Sequence, residues 1–307
     1  MPNWGEVLSE IQGIRIGNPL DIIRRKYLQI MNAYTDRNVI AYYSAFLQNP
    51  SENVGIDDND KNALMQAIYG LDKNKGLDLI LHTPGGNIAA TESIVTYLRS
   101  VFGKDIRAFI PQMAMSAGTM IALSCKEIVM GKQSNIGAID PQFGGMSCAG
   151  VIEEVETAKR DIENNANLSY FWNTILAKYH PTFIGDCQKA IIWSEKMVTA
   201  WLRDNMLSTE SNADEIARKI VAKLGSHKET FTHSKHIHID ECRDLGIKVV
   251  PLETLKTNKI HESCRDLQDC VLTIHHTYMH TFSNSNAIKI IENHMGNAMI
   301  VNTNYHD

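Results

Sequence analysis

Two short stretches constrain what this chain can fold into, Leu77–Asn87 (LDLILHTPGGN) and Ile106–Cys125 (IRAFIPQMAMSAGTMIALSC). Each reads as a buried apolar strand that runs into a tight turn of small residues and then into a helix. In the first, Leu77, Leu79, Ile80 and Leu81 end at His82-Thr83, and Pro84-Gly85-Gly86 breaks the ladder and frees backbone N–H groups. In the second, Ile106 to Ile110 form the strand, and Ser116-Ala117-Gly118 opens a helix that continues to Leu123.

A serine at the start of a helix, flanked by residues small enough for close backbone approach, has the surroundings of an exposed nucleophile. Ser116 is the candidate, with a plain N-cap role as the competing reading. A nucleophilic serine also needs amide donors facing the developing oxyanion. The Gly85-Gly86 turn, one strand away, and the N–H of Ala117 can supply them.

The rest of the chain extends the same pattern. Residues 1–19 are polar and punctuated by Gly and Pro and are expected to form a loose arm. A helix follows to about Thr35, then a strand over Asn38–Phe46 and a helix over Asp57–Tyr69. The order strand 77–82, helix 88–102, strand 106–110, helix 116–124, strand 127–130 implies an α/β fold with parallel strands and right-handed helical crossovers. Residues 148–180 are expected to be mostly helical, with further helices over Gly185–Met206, Ala213–Leu224 and Asp240–Leu245. Residues 256–307 are expected to be a helical extension packed on the core, with a helix over about Glu262–Phe282 and then Asn286–Val301.

A net charge of −5 argues against nucleic acid as a partner, because phosphate binding rests on clustered Lys and Arg. The six cysteines are scattered without a CxxC pair, so neither a zinc knuckle nor a disulfide framework is signalled. Asn3, Glu6, Ser9 and Glu10 interrupt any apolar run at the N-terminus, so the cytoplasm is the expected location. Membrane association is not signalled, since Pro111, Gln112 and Gly118 interrupt the most apolar segment. His275, His276 and His280, and the pair His236 and His238, lack the glutamate of a HExxH arrangement; no metal or cofactor is expected.

Three motifs in order carry a family resemblance: Thr83-Pro84-Gly85-Gly86, Met115-Ser116-Ala117-Gly118 and Ser134-Asn135-Ile136-Gly137-Ala138-Ile139-Asp140-Pro141-Gln142. Together they resemble the ClpP-fold serine peptidases of the signal-peptide-peptidase-A-like branch, and most closely the serine dehydrogenase proteinase (SDH) family. The likeness covers roughly residues 35 to 255. It implies the ClpP/crotonase-like ββα spiral over residues 20–255. It further implies an ATP-independent serine peptidase, an acyl-enzyme on Ser116, peptide or unfolded-protein substrates and a homo-oligomeric ring.

The base that activates the serine has three candidates. Alignment with ClpP places Asp140 where the ClpP histidine falls, so the ClpP triad order is absent. Signal-peptide-peptidase-A-like enzymes use a buried lysine from a later segment, which Lys178 matches best, with Lys159 as an alternative on a charged helix face. The serine dehydrogenase proteinase resemblance implies Ser, Asp and His in that chain order, which Asp140 and His233 fit. Two other classes stay open: a crotonase-like acyl-CoA enzyme, which uses a similar pair of N–H groups, and a non-catalytic scaffold of the same fold.

Overall fold

The computed structural model describes residues 4–50, 54–226, 232–257 and 259–303. The chain opens with α1 (Trp4–Gly13) and α2 (Pro19–Thr35), then β1 (Asn38–Ser44), α3 (Asn59–Ile68), β2 (Leu77–His82), α4 (Ile88–Phe102), β3 (Ile106–Ile110), β4 (Met113–Ala114), α5 (Ala117–Ser124) and β5 (Glu127–Met130). Three two-residue strands follow, β6 (Asn135–Ile136), β7 (Gln142–Phe143) and β8 (Met146–Ser147), then α6 (Cys148–Asn164), α7 (Ser169–Leu176), α8 (Phe183–Trp201) and α9 (Ala213–Leu224). A short helix, Ile239–Asp244, leads to β9 (Val249–Pro251). The C-terminal helix Leu267–Ser283 then precedes β10 (Ala287–Asn293) and β11 (Ala298–Asn302).

The central sheet runs β11-β10-β1-β2-β3-β5-β9. The five strands β1, β2, β3, β5 and β9 are parallel; β10 pairs antiparallel with β1, and β11 pairs antiparallel with β10. Alternate residues face two cores. Ile40, Tyr42, Leu79, Ala108 and Ile128 pack under α3, α4, α5 and α9. Val39, Ala41, Tyr43, Ile80, Phe109 and Val129 pack under α1, α2 and the C-terminal helix. Both faces are covered, which is why these strands read as unbroken apolar runs rather than as alternating ones. The turns that leave β2 and β3 open at the carboxyl ends of parallel strands, the usual place for a site in such sheets.

Two expectations are corrected. The predicted loose N-terminal arm is half helix: Val7 and Ile11 of α1 are buried, and the Trp4 ring lies 3.7 Å from that of His280. Its i, i+4 apolar spacing was masked by Gly5 and Gly13. Residues 1–3 of that arm, residues 227–231 before His233, and residues 304–307 lie outside the described residues.

The predicted helical extension contains one helix, but its end is the hairpin β10–β11. Gly296, at φ 92°, stands in the turn between the strands. The hairpin belongs to the sheet itself, with Ile40 opposite Asn293 and Ser44 opposite Lys289. Ile288 and Ile291 suit helical spacing as well as an extended strand, and pairing with the free edge of β1 decides between them. A buried ion pair locks the hairpin to the helices: Arg24 Nε lies 2.6 Å from Glu292 Oε1, which also accepts from Tyr278 Oη at 2.7 Å. Among the described residues no helix is long and apolar enough to cross a membrane.

Candidate active site

The site is built where the turns after β2 and β4 meet. Thr83 N–H donates to Met113 O at 3.2 Å and Met115 N–H returns to Thr83 O at 3.0 Å, zipping the two segments together. Between that zipper and α5, the Ser116 backbone takes φ 50° and ψ −117°. A non-glycine residue there costs on the order of 1–3 kcal/mol and persists only where its surroundings over-determine it. Here they do: Gly118 N–H bonds Met115 O at 2.8 Å and Met120 N–H bonds Ser116 O at 3.1 Å. The Thr119 hydroxyl donates to Ala114 O at 2.8 Å and accepts from Gly137 N–H at 2.9 Å. Ser116 makes no side-chain capping bond, so its hydroxyl is not spent as an N-cap.

Gly85 and Gly86 are required by space. A Cβ on Gly85 would stand 2.6 Å from Ser116 Cβ, and one on Gly86 would stand 2.2 Å from Ile56 N. Gly85 O accepts from Ile56 N–H at 2.8 Å. In a planar trans peptide the next N–H points the opposite way, so Gly86 N–H is turned away from Ile56. The Gly85 N–H is engaged by Thr83 Oγ1 at 3.2 Å. Of the three expected oxyanion donors, the Gly86 and Ala117 amides are therefore the available ones.

Asp140 is brought close by a chain of backbone bonds. Ile136 and Ile237 form an antiparallel bridge with N–H···O distances of 3.1 and 2.9 Å, and Ile139 N–H bonds Leu224 O at 3.0 Å. Across it, His233 Nδ1 lies 2.7 Å from Asp140 Oδ1. Asp140 is 1% exposed, and its Oδ2 accepts from the Ser147 hydroxyl at 2.9 Å. A carboxylate facing Nδ1 favours the tautomer that donates from that nitrogen and presents Nε2 as the acceptor. Ser116, Gly86, Asp140 and His233 line one cavity of about 870 Å³, whose walls include Ile88, Met120, Ile139, Phe143 and Trp193.

The lysines lie elsewhere. Lys178 is exposed in the turn after α7, where Tyr179 takes the inner position, stacks on Phe183 and bonds Glu154. Lys159 is exposed and pairs with Glu156 at 2.6 Å. Neither lines the cavity. Cys148 is buried, and burial, then Cys187 and Asp140, push its thiol up, which disfavours the thiolate. Sequence reasoning missed Ser147, whose hydroxyl both orients Asp140 and accepts from Gly150 N–H as the N-cap of α6. The signal was there: a serine directly before a predicted helix. Among the described residues no three His, Cys, Asp or Glu side chains are grouped to hold a metal ion.

Residues 44–263 match the model of a family described as ClpP-like SDH-type serine proteinase. Two uncharacterized proteins of Methanocaldococcus jannaschii are each 30% identical over 190 residues, which is 62% of this chain and 59% and 57% of theirs. The chain thus spans somewhat more than half the length of these curated relatives.

Proposed function

Since the chain belongs to the ClpP-like SDH-type serine proteinase family, we propose that it hydrolyses peptide bonds through an acyl-enzyme on Ser116, with His233 as the base and Asp140 as its orienting carboxylate. The Ser116 oxygen bonds to the scissile carbonyl carbon while its proton passes to His233 Nε2. The carbonyl oxygen takes the electron pair and is held by the Gly86 and Ala117 N–H groups. Collapse of the adduct breaks the C–N bond, and the imidazolium returns the proton to the leaving amine. Water then repeats the sequence on the ester, releasing the carboxylate product and the free serine.

One observation carries this reading. His233 is held at Nδ1 by a buried carboxylate at 2.7 Å on the wall of the cavity that Ser116 also lines. The apolar walls support an extended or unfolded peptide as the substrate. Tyr170 and Phe171 of α7 are exposed, which supports a homo-oligomer that covers them.

A fluorophosphonate probe tests the chemistry. It is expected to label the wild type and the Lys178→Ala variant, and to fail on Ser116→Ala and His233→Ala. Labelling that survives His233→Ala and is lost with Lys178→Ala overturns the choice of base. A Ser116→Ala variant that retains turnover of a CoA thioester overturns the peptidase reading in favour of crotonase-like chemistry.

A further inference from the structure

The oxyanion turn is braced from outside by residues 54–57, and that brace is fastened by a side chain from beyond the family-matched region. Ile56 N–H donates to Gly85 O at 2.8 Å and Asn87 N–H donates to Ile56 O at 2.9 Å, so Ile56 acts as a one-residue strand against the turn. Lys289, on β10, is 2% exposed and directs its ammonium at this brace. Its Nζ lies 2.7 Å from Gly55 O, 2.8 Å from Asp60 Oδ1 and 3.2 Å from Asp57 Oδ2. All three N–H donors of the ammonium are thereby used. Asp60 is fixed in turn by the Tyr42 hydroxyl at 2.6 Å and by Asp57 N–H at 3.0 Å.

We propose that Lys289 is a positioning residue for the oxyanion hole: by holding the Gly55 carbonyl it sets Ile56, which holds the Gly85 carbonyl and so aims Gly86 N–H at the reacting oxygen. The proposal rests on the Ser116 acyl-enzyme reading. A buried ammonium that only balanced charge would need the two aspartates alone. The bond to a main-chain carbonyl one residue before the brace couples it to the turn.

The test uses the full chain with Lys289→Met and with the double variant Lys289→Met/Asp60→Asn. The double variant removes the buried counter-charge, so that loss of the fold is separated from loss of aim. With a chromogenic peptide ester, kcat is expected to fall about tenfold with KM within twofold. This is less than the 10²–10³-fold cost of deleting an oxyanion donor outright. The fluorophosphonate labelling rate is expected to fall in parallel while still reaching completion. Lys289→Arg is expected to recover part of kcat. A double variant that folds as the wild type and keeps wild-type kcat and labelling rate overturns the role of Lys289 alone. A wild type with no Ser116-dependent labelling overturns the acyl-enzyme reading, and the positioning role with it.

Discussion

Asp140 and His233 meet beyond an isolated antiparallel bridge. Counted from the antiparallel bridge between Ile136 and Ile237, Asp140 stands four residues after one strand position and His233 four residues before the other, and their side chains meet at 2.7 Å. The backbone pairing thus delivers a carboxylate and an imidazole separated by 93 residues to the same point.

Asp140→Asn is expected to preserve the fold and lower kcat/KM by about 10⁴-fold, because the amide favours the wrong tautomer of the histidine. Hydrolysis of a peptide ester measures this. A loss below tenfold would show that the pair is structural only.

Ser147→Ala removes the bond to Asp140 Oδ2 and the cap of α6 in one step. A loss of about 1 kcal/mol of stability is expected for the cap, and kcat is expected to fall while KM stays. Denaturant unfolding and steady-state kinetics on the same preparation separate the two effects.

Gly86→Ala places a methyl group 2.2 Å from Ile56 N, against backbone that cannot rotate away. Activity is expected to drop at least 10²-fold, in line with loss of an oxyanion donor. The far-ultraviolet circular dichroism spectrum is expected to be unchanged. A variant with near-normal turnover would remove Gly86 from the hole.

His82, at the end of β2, is fully buried, and burial holds its imidazole down to about 3, with the Met113 backbone opposing weakly. The rings packed around it, Tyr43, Phe46 and His275, offer no negative charge. The folded protein keeps His82 neutral while the unfolded chain takes up a proton below about 6.5. Stability is therefore lost as pH falls from about 6.5 toward 3, by up to about 1.4 kcal/mol per pH unit for this group. Urea midpoints between pH 7 and pH 5 are expected to decline more steeply in the wild type than in His82→Leu.

The legible part of this molecule is the part written in local chemistry. The β2 and β3 strands, α4, β5 and α9 follow from apolar runs bounded by Pro, Gly and capping residues. Gly85, Gly86 and Ser116 follow from the need of a tight turn for residues without bulk. The choice between the candidate bases was not legible, because Lys178 and His233 both satisfy a local pattern, and only long-range contacts bring His233 to Asp140 and the cavity that Ser116 lines while Lys178 stays outside it. The β10–β11 hairpin was misread because its isoleucines suit either period, and its partner strand lies some 250 residues earlier in the chain. Ser147 and Lys289 act through other groups, and no motif announces such residues.

Inserting β10 beside β1 has a temporal consequence. A nascent chain emerges N-terminus first, and domains fold as their segments become available. Ser116, Asp140 and His233 all leave the ribosome before Lys289 does. Until β10 and β11 arrive, β1 has an open flank and the brace behind Gly85 lacks the Lys289 ammonium. The half-made molecule carries Ser116 in an unfinished setting until β10 has been translated.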